Sequence, residues 1–107
     1  MTELANQNCI PCQVGGIPLI KSEIEEYLKA VDGWKSLDDK KIEKSFKFKN
    51  FREAMDFANK ITFIAEEEGH HPTLTVSWGK VIVTLYTHKI GGLDDNDFIM
   101  AAKIDKI

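Results

Sequence analysis

The sequence predicts an α+β fold, in which helices pack on one face of an antiparallel sheet. Two observations indicate this class. Two pairs of segments alternate apolar and polar residues, and each pair is joined by a short turn, which is typical of half-buried antiparallel strands. Segments with apolar residues at helical spacing lie before, between and after these pairs. Helices arranged in this way are expected to gather on one side of the sheet.

The first third of the chain predicts a helix and then a strand pair. The helix is expected over Ser22–Val31, with the serine as N-cap and glutamates in the first turn, where the helix dipole favours negative charge. Asp32-Gly33 ends it. Lys40–Lys49 alternates apolar and charged residues and predicts a strand. Trp34–Leu37 is its candidate partner, with Asp38-Asp39 as the turn.

The longest helix is predicted to begin after Asn50, an N-cap candidate with Glu53 in the capping-box position. Its apolar stripe comprises Phe51, Ala54, Met55, Ala58, Ile61, Ile64 and Ala65. Gly69 fits the C-terminal stop, and Pro72 cannot continue the helix. His71 precedes the proline and is biased toward extended backbone. The two adjacent histidines are therefore expected in a helix-to-strand corner.

A hairpin and a last helix follow this corner. Thr73–Trp78 and Val81–His88 are the predicted strands, with Gly79-Lys80 as a two-residue turn. An aspartate, Asp94 or Asp95, is expected to cap the last helix. The hairpin returns position 88 to within about one pairing step of positions 70 and 71, where strands lie ~4.8 Å apart. All three histidines of the sequence are thus expected to face one small volume.

Length and charge limit the classes of function. A chain of 107 residues suits one domain, predicted over residues 1–107 with residues 1–18 as an irregular arm. A net charge of -3 argues against a nucleic-acid partner and gives no reason to expect an anionic membrane surface. The sequence has no run of 18 apolar residues and no signal-peptide pattern. We therefore expect a cytoplasmic protein.

Cys9 and Cys12 form a single C-x-x-C within the arm. Such a pair is compatible with redox chemistry or with half of a metal site. A zinc site needs two more ligands at suitable spacing, and the polar and glycine-rich flanks indicate a loop. We favour two thiols in an arm over either chemistry.

The histidines are the candidate chemical groups, because imidazole exchanges protons near neutral pH. His70, His71 and His88 together suit either acid–base elimination or metal binding. Adjacent residues on an extended chain point to opposite faces, so a shared metal ion is disfavoured. Glu66, one helical turn before His70, and Asp97, early in the last helix, are candidates to orient an imidazole or raise its pKa.

Each of these residues also has a purely structural interpretation. A histidine pair at a helix end can cap carbonyl groups and favour the helix dipole. The acidic run Glu66–Glu68 is typical of a solvated face. Asp97 is typical of the negative charge found at helix N-termini, and Trp78 is more typical of a core than of a stacking surface.

The spacing of these residues resembles the signature of a known family, the pterin-4a-carbinolamine dehydratases. The pattern consists of Glu66, His70-His71-Pro72, Trp78, His88 and Asp97. Gly33-Trp34 is similar to the family's segment between its first helix and the sheet. The segment from Cys9 to Gly16 resembles an N-terminal arm of many microbial and plant members. Gly69 stands where some members have an acid.

The resemblance implies an α+β fold, with a four-stranded antiparallel sheet carrying three helices packed on one face, in homodimers or homotetramers. The implied reaction removes water from 4a-hydroxytetrahydropterin to give quinonoid dihydropterin, without cofactor or metal. This reaction serves tetrahydropterin recycling, with an aromatic amino acid hydroxylase as pathway partner.

The resemblance also implies the site residues. The implied catalytic residues are His70, His71 and His88, supported by Glu66 and Asp97. The implied substrate contacts further include Gly69, Trp78, Tyr86, Thr87 and Lys89. The alternative is a non-catalytic protein on the same scaffold, either a dimerisation cofactor for a transcription factor or an enzyme assembly factor.

Overall fold

The computed structural model describes residues 4–10 and 16–107. Cys12, and with it half of the C-x-x-C, lies outside the described residues. One short 3₁₀ turn, Leu4–Asn6, precedes the regular elements, and a second, His88–Ile90, lies between the last strand and the last helix. In chain order these elements are α1 (Lys21–Leu28), β1 (Lys35–Leu37), β2 (Lys41–Lys47), α2 (Phe51–Glu68), β3 (Thr73–Ser77), β4 (Lys80–Leu85) and α3 (Asp95–Asp105).

The four strands form one antiparallel sheet in the order β1-β2-β4-β3, which confirms the predicted fold class. One face of the sheet is apolar and fully buried, through Ile42, Val81, Val83 and Leu85. α2 packs against β3 and β4, and α3 packs against α2. α1 joins them through Tyr27, whose ring stacks on Phe98 of α3 with centroids 4.9 Å apart.

The boundaries of α1 differ from the prediction. Its N-cap is Ile20 and not Ser22, and it ends at Leu28 before Val31. The Ile20 N–H donates to the Glu23 carboxylate at 2.9 Å. This bond satisfies the N–H of the N-cap residue, and Ser22 lies inside the first turn.

α2 begins and ends where the sequence predicts. The Asn50 side chain accepts the Glu53 N–H at 2.9 Å, while the Glu53 carboxylate accepts from the N–H of Lys49. The residues of the stripe that are buried are Ala54, Ala58, Ile61 and Ala65. Phe51 and Met55 remain 50% and 37% exposed, so the stripe is narrower than predicted.

The hairpin turn is Trp78-Gly79, so the predicted turn at Gly79-Lys80 is wrong by one residue. Ser77 pairs with Lys80, which leaves the tryptophan in the turn and 70% exposed. The end of β2 explains this register. The Phe48 N–H donates to the Gly79 carbonyl at 2.8 Å, and a Cβ on Gly79 would meet the Phe48 carbonyl at 3.0 Å.

β4 ends at Leu85, three residues before the predicted end at His88. The chain then closes a tight loop, in which the Thr87 N–H donates to the Gly92 carbonyl at 2.8 Å. His88 therefore lies in a 3₁₀ turn beyond the strand. α3 starts immediately after this loop, with Asp94 as its N-cap. The loop thus brings the start of α3 beside the end of α2.

Within the described part of the chain, no helix is both long and apolar enough to cross a membrane.

Candidate active site

A cavity of about 290 Å³ lies where the end of α2, the loop after β4 and the start of α3 meet. All three histidines line it. The predicted site residues in its wall are Gly69, His70, His71, Tyr86, Thr87, His88 and Lys89. The hairpin thus brings both histidine-bearing segments to one cavity, as the sequence predicts, although His88 arrives on a turn.

His70 is held by a buried carboxylate. Its Nε2 lies 2.6 Å from Oδ1 of Asp97, which is fully buried. The other carboxylate oxygen accepts from the Thr87 hydroxyl at 2.8 Å and from the Asp94 N–H at 3.0 Å. A carboxylate fixed on both oxygens can set the ring orientation of its histidine. Nδ1 is then the His70 nitrogen not engaged by Asp97.

His71 pairs with Glu66, and not with an interior group. Its Nε2 lies 2.5 Å from the Glu66 carboxylate, and the two side chains are 62% and 70% exposed. The sequence places Glu66 one helical turn before His70, but Gly69 adopts a left-handed conformation with φ of 67°. This turn directs His70 toward α3 and leaves the glutamate beside His71.

His88 lines the cavity from the loop after β4, next to Tyr86. Its Nδ1 lies 3.0 Å from the tyrosine hydroxyl, and the two ring centroids are 4.2 Å apart. The contact fixes the imidazole by a hydrogen bond and by ring packing.

The N-terminal arm forms a further wall that the sequence did not predict. Glu68 accepts the Cys9 N–H at 2.7 Å, and its side chain is only 4% exposed. Asn96 donates to the Ile10 carbonyl and accepts the Ile10 N–H at 2.9 Å. Glu68 is therefore not part of a solvated face. The only sequence signal was the acidic run beside a polar arm, which does not reveal that the two meet.

The Cys9 thiol is held in its neutral form. Burial, the nearby Glu68 charge and a hydrogen bond to that carboxylate raise the pKa of Cys9 to about 12. A thiol that stays protonated at neutral pH is a poor nucleophile and metal ligand. The geometry around Cys9 is thus unlike that of a reactive cysteine.

Two other predictions concern Trp78 and metal binding. Trp78 lies on the hairpin turn and is not among the residues of the cavity wall. Among residues 4–10 and 16–107, no group of three or more His, Cys, Asp or Glu side chains is arranged to hold a metal ion.

Comparison with known proteins places this chain in a family. Residues 17–107 match the family model described as "Pterin 4 alpha carbinolamine dehydratase". A curated protein of Alkaliphilus metalliredigens, named "Putative pterin-4-alpha-carbinolamine dehydratase", is 50% identical over 99% of this chain and 96% of its own length. A protein of the same name from Rubrobacter xylanophilus is 44% identical over the full length of both chains.

A solved structure agrees with these sequence matches. The crystal structure described as "transcriptional coactivator/pterin dehydratase from Brucella Melitensis" superposes with a TM-score of 0.79 at 39% identity. The match covers 83% of this chain and 96% of the other.

The α+β fold and these matches therefore define an enzyme of the hydro-lyase class. The chain belongs to the pterin-4a-carbinolamine dehydratase family, whose small-molecule substrate is a pterin.

Proposed function

We propose that this protein dehydrates 4a-hydroxytetrahydropterin to quinonoid dihydropterin by histidine acid–base catalysis, in tetrahydropterin recycling. The observation that carries the proposal is that three imidazoles line one cavity and that the buried Asp97 holds one of them. The protein would act in the cytoplasm as a homo-oligomer, downstream of an aromatic amino acid hydroxylase that makes the carbinolamine.

The reaction needs two proton transfers. The C4a–O bond breaks, and the leaving hydroxyl takes a proton to become water. N5 loses its proton, and its electron pair forms the C4a–N5 double bond. One acid and one base on the pterin are enough, and imidazoles can fill both roles near neutral pH.

The contacts of each histidine support a division of roles. His70 and His71 supply the acid and the base, and His88 holds the ring or shares in proton transfer. Asp97 orients His70 as a buried carboxylate orients a catalytic imidazole, by fixing its tautomer and the direction of its ring. Glu66 does the same more weakly for His71, because exposed ion pairs contribute little. The backbone around Gly69 and from Tyr86 to Lys89 contacts the pterin edge.

The proposal is tested by stopped-flow measurement of purified protein with freshly generated 4a-hydroxytetrahydropterin. We expect dehydration well above the spontaneous rate. His70→Ala should lower kcat by about 10²-fold or more, the usual contribution of an acid–base group. Unchanged turnover in a folded His70→Ala protein would remove His70 from the mechanism.

Asp97→Asn tests the role of the buried carboxylate. The amide cannot stabilise an imidazolium and favours the wrong tautomer of His70, so kcat should fall by about 10²- to 10⁴-fold. Glu66→Gln is the matched control, because it makes the same chemical change at the exposed pair and should cost far less. Equal losses in the two variants would contradict the distinct role of Asp97.

A second candidate function is protein binding, which the coactivator description of the Brucella structure favours. Protein binding requires an exposed surface that contacts the partner and does not require the histidines of the cavity. An interaction that persists after His70, His71 and His88 are all replaced by alanine would support it beside the enzyme.

A further inference from the structure

We propose that the N-terminal segment 4–10 is an affinity-determining wall of the pterin cavity, with Ile10 as its substrate contact and Glu68 and Asn96 as its positioning residues. The proposal rests on the proposed function, because it assigns a role in binding the same substrate. The segment lies outside residues 17–107, the range that the family model matches.

Two side chains fix the backbone of this segment. Asn96 binds both the N–H and the carbonyl of Ile10, as a paired strand would. Glu68 accepts the N–H of Cys9, although the carboxylate is almost completely buried. Burying a carboxylate is costly unless it is paired and hydrogen-bonded. The Cys9 N–H supplies one of the hydrogen bonds that this buried carboxylate needs, so the two groups hold each other in place.

A third side chain, that of Lys103, also holds the segment in place. Lys103 of α3 donates to the Ala5 carbonyl at 2.9 Å and lies 3.8 Å from the Glu68 carboxylate. Leu4 anchors the start of the segment, because its side chain is buried in the core. The wall is thus held at both ends before any substrate enters.

The chemistry that this wall offers is apolar and uncharged. The amide groups of Ile10 are already hydrogen-bonded to Asn96, and the thiol of Cys9 is neutral. The Ile10 side chain lies at the cavity wall with 75% of its surface exposed. When a ligand covers an apolar side chain that is exposed to water at a cavity wall, the burial of its surface favours binding. A flat, uncharged heterocycle such as a pterin fits this surface.

Because the wall carries no acid–base group of the reaction, it should act on binding and not on the chemical step. Ile10→Ala should raise KM by about 5- to 10-fold and leave kcat within about 2-fold, since it removes contact with bound substrate. The side chain is largely exposed, so the variant should fold normally. Ile17→Ala is the matched control, because Ile17 is 89% exposed and lies outside this cavity.

The positioning role of Glu68 is tested by a pair of variants. Glu68→Ala leaves the Cys9 N–H without its acceptor and should raise KM by about 10-fold at constant kcat. Glu68→Gln keeps an acceptor oxygen and should restore KM to near the unaltered value. If Glu68 had a purely structural role, both variants would lose thermal stability and their KM values would not differ from each other.

Binding of biopterin, followed by its fluorescence, provides a readout that does not depend on turnover. Its Kd should rise in Ile10→Ala and Glu68→Ala and stay unchanged in Ile17→Ala and Glu68→Gln. Suppose that the unaltered protein is active and that His70→Ala abolishes this activity. Unchanged KM and Kd in Ile10→Ala would then overturn the role of segment 4–10 and leave the proposed function in place. Absence of both turnover and biopterin binding in the unaltered protein would overturn the proposed function and the wall together.

Discussion

At the scale of single residues, the fold controls the charge of Cys9 in the cavity wall. Burial and the Glu68 carboxylate both disfavour the thiolate form of this side chain. The folded state therefore favours the neutral thiol over the thiolate. Its contribution to stability is present below the unfolded pKa of about 9 and is lost as pH rises from there toward 12.

This ionisation can be measured in a Cys12→Ser variant, in which Cys9 is the only cysteine. At pH 8 the folded protein should react with a disulfide reagent roughly 10²- to 10³-fold more slowly than the same protein in urea, because the thiolate is the reacting form. Ellman's reagent gives both rates. Equal rates would contradict docking of the arm on Glu68.

The sequence predicts the position of Asp97 but not its contacts. The sequence places an aspartate in the first turn of a helix, where a solvated charge is the ordinary interpretation. It does not show that Thr87 and His70 arrive at the same carboxylate, since those contacts depend on how the loop after β4 closes. The spacing singles out Asp97 as a candidate, and tertiary structure supplies its hydrogen-bond partners.

At the scale of elements, the end of α2 determines where the histidines point. Gly69 ends the helix at φ of 67°, a conformation that costs other L-residues about 1 kcal/mol or more. No atom lies within 4 Å of a Cβ built there, so the cost of a substitution comes from the backbone alone.

Gly69→Ala should therefore lower the free energy of unfolding by about 1 kcal/mol. Gly69→Asn is the matched control, because asparagine tolerates the left-handed conformation and should cost less. Urea denaturation followed by circular dichroism measures both variants. An alanine variant as stable as the unaltered protein would show that the helix end relaxes into another conformation.

Local signals predicted the elements better than their exact ends. Helix α2 has a capping asparagine and a terminal glycine, and both of its ends are confirmed. The hairpin turn was displaced by one residue because the close approach of Phe48 to Gly79 helps to set the register. That contact joins β2 to the hairpin and has no local sequence signal.

At the scale of the whole molecule, the sheet has two edge strands, β1 and β3. The outer surface of α2 also exposes a large apolar side chain, Phe63, at 78%. Unpaired strand edges and exposed aromatic side chains are surfaces through which copies of a chain associate.

We expect the protein to sediment as two or four copies of its 12.1 kDa chain. Analytical ultracentrifugation over a range of concentrations measures this mass directly. A single-chain mass at all concentrations would contradict the homo-oligomer. The catalytic proposal would be unaffected, because every group that it uses lies within one chain.

The docking of the arm also affects how the protein is made. A ribosome synthesises segment 4–10 long before its anchors on α3, because Ile10 and Asn96 are 86 positions apart and Ala5 and Lys103 are 98 apart. Contacts this distant in sequence form slowly, because a long loop must close before they stabilise the fold. Until α3 has left the exit tunnel, the nascent chain therefore lacks the side chains of Asn96 and Lys103 that hold segment 4–10, and we expect this wall of the cavity to be missing.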